Sequence, residues 1–519
     1  MVVDAVILGG GPAGAGAARL LAGWGYRVVV IARPAQRPTL AESLPPSAEK
    51  LLDRIGVRAA VDGAGFIRAT GNTVWWGTPA ARVERFGGDA LGWQIARHAF
   101  DRVLLREAAA AGARIVAATA WQPSATAWQP SAISHQPSAR DYERVLTSRA
   151  DGLHTVEYQA GARSASIRCR WVLDCTGRAG LLARRGWRRP DPAGRTLALV
   201  GVWERRVGWG ALVDDTHTLV ESYDGGWAWS VPVSSTRRYV TVMVDPALTP
   251  IRTPDGAAGL TTIYRAELAK AAHLDAVANS GRARARLVSQ PFARDASSYS
   301  ASRFTDDGVL LVGDAASFVD PLSSYGIKKA LSSAWLAAVV VHSALSDEAM
   351  RTHALDLYER RERAMHDGLR RRFAELSSDA GGVQSTDFWR TRASAEATDD
   401  GEPDVLELRR DPEVLAAFDT MRQRPSIALR PSSLVERVNR PTVRGDRVTL
   451  EEHLVVPAFR DGVRYLRNID LLKIVTLAPE HDQVPDLYAA YNRAAPPAPL
   501  PDFLGALSVL VAKRMLDLA

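Results

Sequence analysis

Apolar positions dominate Val2–Leu8 and return over residues 26–31, and between them residues 17–24 repeat at helical spacing. This pattern predicts a strand–helix–strand unit with both strands buried. A helix over 97–112 and strands near Val145, Val156 and Ile167 continue the same mixed domain. Residues 120–140, AWQPSATAWQPSAISHQPSAR, write a seven-residue unit nearly three times, with proline in every copy and no core-forming period. They read as a poorly ordered surface insertion. From 195 to 244 the runs TLALVGVWERR, HTLVESYD, GWAWSVPV and RYVTVMVD alternate with turn residues, most simply as one antiparallel sheet. Residues 255–280 read as a helix, GVLLVGDAA as a buried strand, and 327–345 as a long apolar helix. A charged helical stretch follows, then a hairpin-like segment, RVTLEEHLVV…GVRYLRNID, and a last apolar helix, FLGALSVLVAKRMLDL.

The expected fold is mixed α/β. A Rossmann-like nucleotide domain occupies 1–185 and 281–345. An antiparallel substrate sheet over 186–280 interrupts it, and 346–519 form a helical and mixed carboxy-terminal extension.

Composition narrows the partners. With 519 residues, 46% hydrophobic and 24% charged, the chain suits a globular protein with a sizeable core. Cys169 and Cys175 cannot build a disulfide framework, which fits a reducing cytoplasm. No apolar run is read as reaching membrane-spanning length, and the first residues enter a strand, so neither a membrane span nor a signal peptide is expected. The net charge of +7 comes from scattered arginines without interleaved aromatics, which argues against nucleic acid as a partner.

Gly9, Gly11 and Gly14 form G-x-G-x-x-G directly after the first strand, with Pro12 and Ala13 opening the helix. The first glycine permits the tight turn, the second lets backbone approach a pyrophosphate, and the third lets helix pack on strand. A dinucleotide is expected there. The acidic residue that usually ends the second strand is missing, and Arg33 stands in its place. Asp314, at the end of a second buried strand, can accept a hydrogen bond from a ribityl hydroxyl, a group that FAD has and NAD lacks. In FVDPLSSYGI, Pro321, Ser324, Tyr325, Gly326 and Ile327 lead into the 327–345 helix, whose free N–H groups would stabilise negative charge on a reduced flavin.

These residues resemble the superfamily of flavin-dependent halogenases and FAD-dependent aromatic monooxygenases, with the hydroxybenzoate-hydroxylase-like fold. The likeness covers most of residues 1–345. WAWSVP is similar to the halogenase pattern W-x-W-x-I-P, and FVDPLSSYGI to F-x-x-P-x-x-S-x-G-I. The resemblance implies that Arg97 contacts the phosphate region of FAD, that Glu42 and Ser43 line the flavin, and that Trp75, Trp227, Trp229, Ser324 and Tyr325 belong to the substrate pocket. Arg97 could instead pair with Asp101 one turn on. The two tryptophans of WAWSVP are read equally well as core. Tryptophan halogenases carry a lysine in the stretch that here reads GAGFIRATGNTVWWG, where Arg68 is the nearest cation, and a glutamate where Ser323 stands. A guanidinium cannot replace an amine that carries an oxidised halide.

The resemblance therefore implies an FAD-dependent monooxygenase that hydroxylates an electron-rich indole- or phenol-like substrate through a flavin C4a-hydroperoxide. That substrate is a small molecule or a tryptophan on a partner polypeptide. Molecular oxygen and NAD(P)H or a separate flavin reductase complete the reaction. An atypical halogenase is the alternative, and a non-oxygenating flavoprotein reductase the second.

Overall fold

The computed structural model describes residues 2–33, 40–118, 147–160, 163–192, 194–249, 251, 256–279, 284–323, 325–384, 386–394, 408, 410–424 and 426–518. The 120–140 repeat, the strand expected near Val145 and Ser324 lie outside them.

In chain order the elements that position the site are β1 (Val2–Leu8), α1 (Pro12–Gly23), β2 (Val28–Ala32), α2 (Arg97–Ala110), β3 (Arg114–Ala117) and β4 (Arg163–Asp174). Next come β5 (Leu197–Glu204), β6 (Thr218–Tyr223), β7 (Gly226–Pro232), β8 (Arg237–Val244), β9 (Val309–Leu311), α3 (Gly326–Ser346) and α4 (Arg351–Gly381). Strands β9, β4, β1, β2 and β3 lie side by side in that order, all parallel. The near-continuous Val/Ile/Leu runs of β1 and β2 follow from this arrangement, because a parallel sheet is covered on both faces. Gly16 and the alanines of α1 keep that helix thin, and a Cβ at Gly16 would lie 3.2 Å from Ala334 of α3.

The second sheet holds β5, β8, β7 and β6 in antiparallel order. It is not purely antiparallel, as the sequence suggested. The strand Gly71–Trp75 joins β6 in parallel, with Asn72 opposite Thr218 and Trp75 opposite Glu221. A partner about 145 residues upstream leaves no mark in the local pattern of β6. The expected 255–280 helix is two helices, Gly256–Leu268 and Ala272–Asn279.

The chain divides into two compact units, residues 1–346 with 358–397, and residues 347–357 with 398–519. The second unit has its own core, built around Leu454, Phe459, Ile474, Tyr491, Phe503 and Leu510. Its hairpin gains a third strand: Glu436–Arg444, Arg447–Val456 and Phe459–Val463. Its last helix ends at Ala512, and Leu516–Leu518 turns back to pair with Leu429–Pro431.

By length and composition α3 is apolar enough to cross a membrane, contrary to the expectation from the sequence. Its apolar window is 78% buried inside the protein, as befits the central helix of a folded core.

Candidate active site

A single cavity of about 810 Å³ runs from the glycine turn after β1 to the second sheet. At one end it is lined by Gly9, Gly11, Pro12, Ala13, Arg33, Glu42, Ser43 and Arg97. Asp314, Pro321, Gly326 and Ile327 line it further along, with Trp229 and Phe318.

The glycines of the turn have separate reasons to be glycine. Gly9 has φ +102°, and a Cβ there would sit 2.3 Å from the Cys175 carbonyl oxygen. A Cβ on Gly14 would sit 1.9 Å from the carbonyl oxygen of Gly9, so Gly14 packs behind the turn and does not line the cavity. Gly11 differs: its φ of −77° suits any residue, and the nearest protein atom to an added Cβ is Arg97 Nη2 at 3.9 Å. Neither backbone nor packing requires glycine here. A cradle that one methyl group would begin to fill, at the N-terminus of α1, fits a pyrophosphate.

Arg97 opens α2 with its guanidinium held by the Glu42 carboxylate and by Asp101, 3.2 Å from Nε. Both readings of this residue therefore meet in one place, since it pairs one turn on and also lines the cavity. Burial works to lower its pKa, but Glu42 and Asp101 outweigh it and hold the cation well above its usual range. Burial raises the Asp101 carboxyl, and Arg97 opposes that. Ser43 lies within the strand Ala41–Leu44 and caps no helix. Cys175 also lines the cavity, and burial with the neighbouring Asp174 charge pushes its thiol far above the usual range.

Of the aromatic candidates, only Trp229 lines the cavity. Trp227, one alternation away on β7, is 1% exposed and packs with Phe388 and Trp389. Trp75 stacks on His273, centroids 4.8 Å apart, away from the cavity. The Tyr325 carbonyl accepts from Lys329 N–H at 2.7 Å and so begins α3, with the Lys328 ammonium 4.6 Å from its ring. Arg68 donates to Asp62 at 2.7 Å and lies over Trp93 at 4.5 Å, outside the lining.

Residues 2–372 match the FAD binding domain family. The chain belongs to this family. FAD is its cofactor, and the mixed α/β fold is the halogenase and hydroxylase type. Among curated relatives, it is 28% identical over 368 residues to tryptophan 2-halogenase of Chondromyces crocatus, a match spanning 68% of this chain and 64% of that protein. It is 26% identical over 387 residues to the 1H-pyrrole-2-carbonyl-[peptidyl-carrier protein] chlorinase of Pseudomonas fluorescens, spanning 69% and 79%. Among solved structures, CmlS, a flavin-dependent halogenase, superposes with TM-score 0.76 at 21% identity, over 100% of this chain and 96% of that one. The peptidyl tryptophan dihydroxylase QhpG superposes with TM-score 0.66 at 22% identity, over 98% and 99%. At these identities the two structures speak for the fold.

Several residues on or behind the cavity wall escaped the sequence reading. Arg178 lines it with the guanidinium 3.9 Å above Phe318 and 3.5 Å from Asp295. Asp320, between lining residues Phe318 and Pro321, is 3% exposed, and burial pushes its carboxyl up to about 7 against Arg392, the Leu322 N–H and the Trp227 indole. An acid inside the otherwise apolar FVDPL was the available signal. Lys329, two residues after Ile327, is also buried.

Proposed function

We propose that this FAD enzyme is a monooxygenase that hydroxylates an electron-rich aromatic ring, indole- or phenol-like, either free or as tryptophan in a partner polypeptide. One observation carries the reading: among the described residues, no lysine lines the cavity, whose cations are arginines at 33, 97, 102, 178 and 294. A permanently protonated guanidinium binds anions but cannot take up an oxidised halide as an amine does. Arg68, in the stretch where a halogenating lysine would stand, is held by Asp62 and Trp93.

Reduced FAD with molecular oxygen supplies the electrophilic oxygen, and NAD(P)H or a separate flavin reductase supplies the electrons. The chain's own part is binding and orientation. Gly11 and the α1 N-terminus receive the pyrophosphate, and Arg97, fixed by Glu42 and Asp101, adds a cation there. Arg33 or backbone groups serve the ribose. Asp314 accepts from the ribityl chain. The N-terminus of α3 at Gly326–Ile327, approached through Pro321, stabilises negative charge on the reduced flavin. Trp229 presents an aromatic wall to the substrate.

The second reading is an atypical halogenase, favoured by the halogenase names of the curated relatives. Mass spectrometry of products formed with reduced FAD and labelled oxygen, with and without bromide, separates the two. Hydroxylation predicts a gain of labelled oxygen that bromide leaves unchanged. A brominated product overturns the monooxygenase.

A further inference from the structure

Lysine is scarce in this chain, with six among 65 Lys and Arg residues. One of them, Lys329 of α3, is only 3% exposed. An ammonium inside a protein is costly unless each donor finds an acceptor. Its Nζ donates to the Gly313 carbonyl at 3.0 Å and to the Ser317 carbonyl, and lies 3.6 Å from Asp314 Oδ1. All three contacts fall on one short segment, 313–317, which carries Asp314 to the cavity wall. The surroundings of that segment are tied down as well. Ser333 Oγ accepts from Gly313 N–H at 2.9 Å, the Tyr299 hydroxyl donates to the Asp314 carbonyl at 2.6 Å, and the Tyr358 hydroxyl donates to the Leu311 carbonyl at 2.8 Å.

Glu362 of α4 is fully buried in the same region, with the Ser333 hydroxyl beside its carboxylate. Burial raises its pKa to about 7, and the Lys329 charge is the largest effect opposing that rise. A leucine or methionine at 329 would fill this helix–sheet interface without desolvating a charge. The ammonium is instead spent entirely on the segment that presents Asp314.

We propose that Lys329 is a positioning residue for the cofactor, holding the 313–317 segment so that the Asp314 side chain faces FAD. This rests on the reading that Asp314 meets FAD, and the test separates the two. The apoprotein is titrated with FAD for wild type, Asp314→Asn, Lys329→Met and the double variant, and the flavin midpoint potential is measured for each. Each single change weakens FAD binding about tenfold, and the double variant is no weaker than about either single one, because the two side chains act as a unit. Lys329→Met removes a positive charge and lowers the midpoint potential. Glu362→Gln, measured at about pH 8.5 where the carboxyl is ionised, removes a negative charge and raises it. A packing role alone does not give opposite signs.

If Lys329→Met keeps wild-type affinity and potential while Asp314→Asn is weakened, the inference is overturned and the Asp314 reading stands. If Asp314→Asn binds FAD normally, both fall. Should Lys329→Met not fold, Lys329→Gln keeps donors for the two carbonyls without the charge, and an unchanged potential there overturns the inference equally.

Discussion

Trp227 and Trp229 stack on the same face of β7, ring centroids 4.8 Å apart and planes inclined by 25°. The pair separates two roles that the motif WAWSVP leaves mixed. Trp229 lines the cavity, and Trp227 supports it from the core, itself seated with Phe388 and Trp389. Trp229→Ala should therefore leave the fold and FAD content intact while raising KM for the aromatic substrate at least about tenfold, the loss of an aromatic contact and its buried area. Trp227→Ala should cost roughly 3–5 kcal/mol of stability. Thermal melts and steady-state kinetics on the two variants check this. Equal loss of stability in both would place Trp229 in the core.

The turn after β1 makes a sharper pair. Gly14→Ala puts a Cβ 1.9 Å from a backbone oxygen, so it should destabilise the apoprotein. Gly11→Val meets no protein atom closer than 3.9 Å at its Cβ, so the apoprotein should keep its melting temperature while losing FAD. Absorbance at the flavin band, set beside the apoprotein melt, distinguishes the two. A yellow, stoichiometric Gly11→Val protein would show that no pyrophosphate occupies the cradle.

Arg97 tests the electrostatics of the same end. Its guanidinium is shared between two carboxylates that face the cavity with it. Arg97→Met should weaken FAD binding and leave Glu42 and Asp101 without their counter-ion. Affinity should then fall further as pH rises and the Asp101 carboxyl, already raised by burial, ionises against the phosphates. Titration at two pH values reads the effect, and a pH-independent deficit would limit Arg97 to hydrogen bonding.

What the sequence made legible is what local backbone demands. Gly9 needs positive φ, Gly14 needs absence of a side chain, and a helix must follow, so the motif is written in consecutive residues. Asp314 follows a buried strand, and its place on the cavity wall is legible from that position. Residues whose surroundings come from elsewhere in the chain were not. Trp227 is core because Phe388 and Trp389 arrive about 160 residues later, and Trp75 leaves the pocket because His273 stacks on it. Nothing near Lys329 in sequence marks it as buried, because the Gly313–Ser317 segment that takes up its ammonium lies more than ten residues away. Side-chain placement set by long-range packing has no short-range signature.

Asp320 gives the last prediction. Burial lifts its carboxyl from the ordinary 3.8 to about 7, so the folded state prefers the neutral acid. The sign follows from linkage: with the folded pKa above the unfolded one, the stabilisation is complete below about pH 4 and is lost as pH rises through about 7. Three units correspond to roughly 4 kcal/mol at most, since the Leu322 N–H and the Arg392 charge already favour the anion. Asp320→Asn keeps the Leu322 hydrogen bond and cannot ionise. The variant should match wild type near pH 4, gain on it in melting temperature as pH rises from about 4 to about 7, and keep a constant lead above that. A melting-temperature difference that stays constant from pH 5 to pH 8 would mean that Asp320 is ionised throughout, paired with the Arg392 guanidinium.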